Sequence, residues 1–180
     1  MSGCWLFVCG PSGAGKDAVI GWTQQALGGD ERIVFARRLV TRAAPGGPDH
    51  EETSRGALQA LYAAGDLAWY WEANGHAYGV RAAYRQHVQA GRLVVVNGSR
   101  EHAAGLASRP DVRSVLVTAD AALLHARLHA RARESAAAVA QRLARNEQVP
   151  QPRAERIIVN DGPVAAAGAA LHEYLMEICP

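Results

Sequence analysis

Residues 10–17 read GPSGAGKD. Seven of the eight satisfy the phosphate-binding pattern G-x-x-x-x-G-K-[ST]; the eighth, Asp17, stands where a Ser or Thr hydroxyl ordinarily meets magnesium. The pattern carries meaning only between a strand and a helix, and both neighbours are present. CWLFVC at 4–9 is a short apolar run, and KDAVIGWTQQALG at 16–28 has a helical period. In that setting the loop of Gly10, Pro11, Ser12, Gly13, Ala14 and Gly15 turns backbone N–H groups onto phosphate oxygens. Lys16 reaches the outer phosphates, and the helix aims its positive end at them. Asp17 has two readings: a magnesium ligand, direct or through water, or an acidic helix-start residue favoured by the dipole.

Working outward, the alternation of short apolar runs and amphipathic stretches continues. Strands are expected at 4–9, 32–40, 92–98, 112–119 and 156–160, and helices at 16–28, 53–65, 81–91, 119–147 and 163–178. This order predicts an α/β fold, a three-layer sandwich of about five parallel strands flanked by helices. A chain of 180 residues is expected to form one domain. The connection at 41–91 exceeds what one crossover helix needs. Its turn RAAPGGPDH and aromatic segment LAWYWEANGHAYGV mark it as a substrate-binding insert.

Composition narrows the chemistry. With 49% hydrophobic and 20% charged residues the chain is of globular type rather than disordered. A net charge of +2 argues against a general nucleic-acid or membrane surface, so anion binding must be local. Lys16 is the sole lysine, which leaves the positive charge almost wholly to guanidinium groups that grip phosphate through paired donors. Cys4, Cys9 and Cys179 are odd in number and lack metal-ligand spacing, as expected in a reducing compartment. The start MSGCWLFVCG has neither the basic region of a signal peptide nor the length of a membrane span, so a cytoplasmic location is expected.

Several further motifs fall in register with the loop: Thr41-Arg42 after an arginine pair, Tyr78-Gly79 closing the aromatic segment, RLHARARE at 127–134, and QRL at 141–143. Together they resemble the guanylate-kinase-like enzymes over nearly the whole chain. Within that superfamily, the GKD ending, Gly46, Gly47 and His50 after the arginine, Trp71 to Gly79, and VVVNGSREH at 94–102 look like the ribose 1,5-bisphosphate phosphokinases. That resemblance implies transfer of the γ-phosphate of ATP, with Mg2+, to a small phosphorylated sugar, giving 5-phosphoribosyl 1-diphosphate in phosphonate breakdown. It implies no nucleic-acid or membrane partner, and a monomer or homodimer. The guanine-reading Glu of guanylate kinases falls at Trp69, with Glu72 three residues away. The acid those enzymes carry after the third strand is replaced by Asn97 and Ser99, so a carboxylate near magnesium has in effect moved to Asp17.

The resemblance implies Arg42 as the acceptor-phosphate arginine, joined by Arg38, and Arg131 and Arg142 as catalytic lid arginines over the transferring phosphate, the lid spanning about 125–147. Arg127 shares a helix face with Arg131. Arg81 and Arg85 are expected on one face of the helix after Tyr78, serving a second phosphate. His50, Tyr78 and Asn97 complete the substrate set, His50 toward a ribose hydroxyl and Tyr78 through its own. A solvated basic helix face and a core tyrosine are the plainer readings. Asn160 and Asp161 end the last strand, where open parallel sheets place ligands. The alternatives are a guanylate kinase or other small-molecule kinase, and a non-catalytic binding module of the same fold.

Overall fold

The computed structural model describes residues 3–41, 49–130, 144, 149 and 153–179. Among them the elements in chain order are β1 (Cys4–Cys9), α1 (Lys16–Ala26), β2 (Ile33–Phe35), β3 (Arg38–Val40), β4 (His50–Glu52), α2 (Arg55–Ala63), β5 (Leu67–Ala73) and β6 (His76–Arg81). There follow α3 (Tyr84–Gln89), β7 (Leu93–Asn97), α4 (Arg100–Gly105), β8 (Val112–Thr118), α5 (Ala121–Ala130), β9 (Arg156–Val159) and α6 (Val164–Ile178). A five-stranded sheet has the order β2-β7-β1-β8-β9, with β2–β7 and β8–β9 parallel, and the chain is of the expected α/β class. A second sheet, β4-β3-β6-β5, has four strands. No described helix is long and apolar enough to cross a membrane.

The apolar runs explain the central strands. β7 is buried at every position and β1 at all but its first, so each has both faces covered, as strands between helix layers do. Packing divides the chain into two compact units: Met1–Leu6, Asp30–Val96 and Cys179–Pro180 form one, Phe7–Gly29 and Asn97–Ile178 the other.

In the first unit the run expected as one strand at 32–40 is two. β2 pairs with β7, and then the chain changes sheets at Ala36 and Arg37, where the Tyr84 hydroxyl accepts the Arg37 amide at 2.9 Å. β3 then pairs antiparallel with β6 and parallel with β4. β5 and β6 form a hairpin closed at Asn74-Gly75, both with positive φ (52° and 76°), the conformation that Asn-Gly favours in two-residue turns. Helix α2 starts at Ser54, whose hydroxyl accepts the Ala57 amide, and its Leu58 enters a core of Leu39, Leu67 and Ala77. Arg81 ends β6 and α3 begins only at Tyr84, so Arg81 and Arg85 do not share a helix face as expected.

In the second unit α1 packs on α6. The Thr23 hydroxyl bonds the Val19 and Gly168 carbonyls, and a Cβ at Gly168 would overlap the Trp22 ring. Helix α4, absent from the sequence expectation, is capped by Ser99 onto the His102 amide. Of the helix expected at 119–147, Ala121–Ala130 is seen as α5; Arg131 and Arg142 lie outside the described residues, as do Arg42, Gly46 and Gly47.

Candidate active site

The loop between β1 and α1 is built as an anion cradle. Gly15 caps α1 in the left-handed conformation (φ 80°) in place of a side-chain cap, so the positive end of the helix faces the loop. Two constraints make Gly15 a glycine: its positive φ, and Asn160 Nδ2, which would lie 2.6 Å from a Cβ there. Asn160 also donates to the Ala14 carbonyl at 2.8 Å and is itself fixed by its amide on Thr118 O, so β9 holds the loop from behind. Its Oδ1 is buried without a hydrogen-bond partner among the described residues. Gly10 is equally constrained, since a Cβ would overlap the Val117 carbonyl. Lys16 Nζ donates to the carbonyls of Gly10 (2.9 Å) and Pro11 (3.2 Å), folded along the loop it would release on meeting phosphate.

Asp17 opens α1 on its exposed side, and Asn97, at the end of β7 and buried, donates Nδ2 to Asp17 Oδ1 at 2.5 Å. The neutral strand-end residue and the added loop carboxylate are thus hydrogen-bonded partners, while Asn97 Oδ1 is buried with no partner among the described residues. Among the described residues no three His, Cys, Asp or Glu side chains gather as a metal site. Burial pushes the Cys9 thiol up to about 11 despite the pull of Lys16 and Arg100, so it is a core thiol at neutral pH.

A second cluster lies in the first unit. Arg38 on β3 and His50 on β4 are register partners, and Asp49 between the strands joins them: Oδ2 accepts Arg38 Nη2 at 2.9 Å, and Oδ1 meets His50 Nδ1 at 2.8 Å. Burial would raise the Asp49 carboxyl, but the His50 hydrogen bond and the Arg38 charge outweigh it and hold it below the ordinary carboxylate value. The Arg38 guanidinium stands 5.9 Å from the Tyr78 ring centre, and that ring stacks on Trp71 at 5.4 Å and 8°. Arg37 donates Nε to the His50 carbonyl.

Of the expected substrate residues, Arg38, His50 and Tyr78 come together here. Arg81 pairs with Glu51 at 2.8 Å, both about half exposed, and Arg85 donates to the Leu67 carbonyl. Asn97 stands instead with Asp17 in the second unit. Glu72 is engaged by Arg55 and by the Tyr70 hydroxyl, which hold its carboxyl low. Asp161 accepts the Asp120 amide at the head of α5. Asp49 is the residue that sequence reasoning passed over; its signal was its place beside His50 in GPDH.

No protein-family model matches the chain. The chain is 41% identical over 176 residues to a ribose 1,5-bisphosphate phosphokinase of Acidiphilium cryptum, covering 98% of this chain and 94% of the relative. It is 38% identical over 179 residues to a ribose 1,5-bisphosphate phosphokinase of a Janthinobacterium species, where it spans 98% of itself but only 40% of the relative. Among solved structures it is similar to guanylate kinase from Anaplasma phagocytophilum, with TM-score 0.70 and 19% identity over 99% of this chain and 87% of that one, a likeness of fold. A match of this identity along almost the full length of both chains, joined to a lysine-bearing phosphate cradle, shows that the chain belongs to the ribose 1,5-bisphosphate phosphokinase family.

Proposed function

We propose that this protein transfers the γ-phosphoryl group of ATP to the anomeric phosphate of ribose 1,5-bisphosphate, giving ADP and 5-phosphoribosyl 1-diphosphate, a step of phosphonate breakdown. The observation that carries the reading is the glycine loop that enters α1 through left-handed Gly15, with Lys16 lying along the loop. That arrangement suits a polyphosphate and little else. An acceptor phosphate oxygen is already anionic at neutral pH, so the transfer needs alignment and charge stabilisation rather than a strong base. One bond forms from that oxygen to the γ-phosphorus as the bond to the ADP oxygen breaks. Lys16 and the loop amides hold the nucleotide phosphates; Arg38, Tyr78 and His50 hold the acceptor, joined by Arg42 and Arg81. Arg131 and Arg142 steady charge on the transferring group.

The residues present fit magnesium, which usually takes only one or two protein carboxylates with phosphate and water completing its shell. Asp17 would supply the carboxylate, oriented by Asn97. When bound, the ion offsets phosphate charge. None of Cys4, Cys9 and Cys179 is in a disulfide, which supports a reducing, cytoplasmic setting for an enzyme we take as monomeric or homodimeric.

The test is to incubate the protein with magnesium-ATP and ribose 1,5-bisphosphate, with guanylate in parallel, and follow the products by phosphorus NMR. The diphosphate is expected from the sugar and little transfer to guanylate. Guanylate phosphorylated far faster than the sugar, or no transfer at all, overturns the proposal.

A further inference from the structure

Asp49 divides its carboxylate between two residues of unlike chemistry: a guanidinium on one oxygen and an imidazole Nδ1 on the other. The consequence for His50 is a fixed tautomer. A carboxylate only accepts, so Nδ1 must carry the proton, which leaves Nε2 as the nitrogen able to present a lone pair. The His50 side chain is 12% exposed, and Nε2 is buried with no hydrogen-bond partner among the described residues. A buried acceptor in that condition calls for a donor from a ligand. Asp49 is also the counterion of Arg38, at 2.9 Å.

Phosphate oxygens only accept at neutral pH, whereas the sole donors on a ring-closed pentose bisphosphate are its two free hydroxyls. We infer that Asp49 and His50 are the specificity device for the sugar: His50 Nε2 accepts a ring hydroxyl of the acceptor, and Asp49 is the positioning residue that sets the tautomer. Arg38, held by the other oxygen of the same carboxylate, grips phosphate. One acidic residue thereby sets the spacing between a hydroxyl reader and a phosphate reader. This inference rests on the proposed sugar bisphosphate acceptor and adds to it the residues that separate ribose from its deoxy analogues.

The experiment compares kcat/KM for ribose 1,5-bisphosphate with that for its 2-deoxy and 3-deoxy analogues, in the parent protein, His50→Phe and Asp49→Asn. An amide offers one acceptor and one donor, so the side chain introduced by Asp49→Asn cannot accept from both Arg38 and His50. The parent should disfavour one deoxy analogue by on the order of 10- to 100-fold, because that ligand leaves the buried nitrogen unpaired. Both variants should bring ribose and that analogue to within about threefold of each other, with KM for ATP unchanged. A merely structural defect would lower all acceptors alike and keep their ratio. Asp49→Asn is nearly isosteric and carries the test alone should His50→Phe fail to fold. A parent protein that turns over ribose 1,5-bisphosphate without discriminating, or variants that keep the discrimination, overturn the inference and leave the activity standing. Absence of turnover with ribose 1,5-bisphosphate itself removes the activity and the inference with it.

Discussion

At the residue scale the decisive pair is Asp17 and Asn97. A loop carboxylate among phosphates is unfavourable unless its charge has a use and its direction is fixed, and Asn97 Nδ2 supplies the direction at 2.5 Å. Asn97→Leu keeps the strand apolar but removes that hydrogen bond to Asp17, and if Asp17 is the magnesium carboxylate as proposed, partners of this kind commonly tune metal affinity by 10- to 100-fold. The expected result is a magnesium requirement raised about tenfold at half-maximal turnover, with a smaller change in KM for the sugar. Titrating magnesium at saturating ATP checks it. The loop was legible residue by residue, because the positive φ of Gly10 and Gly15 and the reach of Lys16 back to the loop carbonyls are local demands, even though Val117 and Asn160 add distant ones. Asn160 was not: it stands 146 positions from the Ala14 carbonyl it meets, and nothing in GPSGAGKD points to it.

At the element scale, small residues decide how helices and strands approach. A Cβ at Gly168 would enter the Trp22 ring where α6 crosses α1. Gly168→Ala should therefore cost about 1–3 kcal/mol of stability by overpacking, although alanine is the better helix former. Urea unfolding measures the loss, and Trp22→Leu in the same chain should recover part of it. The five-stranded sheet was readable from its apolar runs, most plainly at β1 and β7, which are buried on both faces. The second sheet was partly readable: Asn74-Gly75 between alternating residues is a hairpin signal, and the aromatic content of 67–81 masked it. The break between β2 and β3 had no local mark. VFARRL reads as one run, and only pairing with β7 on one side and β6 on the other divides it.

At the scale of the whole molecule, acid stability follows from His102. Packed edge-on to Phe7 at 5.3 Å, its imidazole is driven by burial down to about 4 from an ordinary 6.5. The unfolded chain then takes up a proton that the folded chain refuses. Stability is full above about pH 6.5 and falls toward pH 4, with a slope of at most about 1.4 kcal/mol per pH unit. Urea midpoints measured from pH 7 to 4 should show this slope, and His102→Gln should flatten it. The sequence by itself determined the α/β class and the glycine-lysine loop between its first strand and helix, because each rests on local period or turn chemistry. Only the tertiary structure decided that Asn97 serves Asp17, that Asn160 braces the loop, and that Asp49 joins Arg38 to His50. Those are contacts between segments far apart in the chain or on paired strands. Residue type gives each side chain its capacity to hydrogen-bond, but strand register and packing choose its partner.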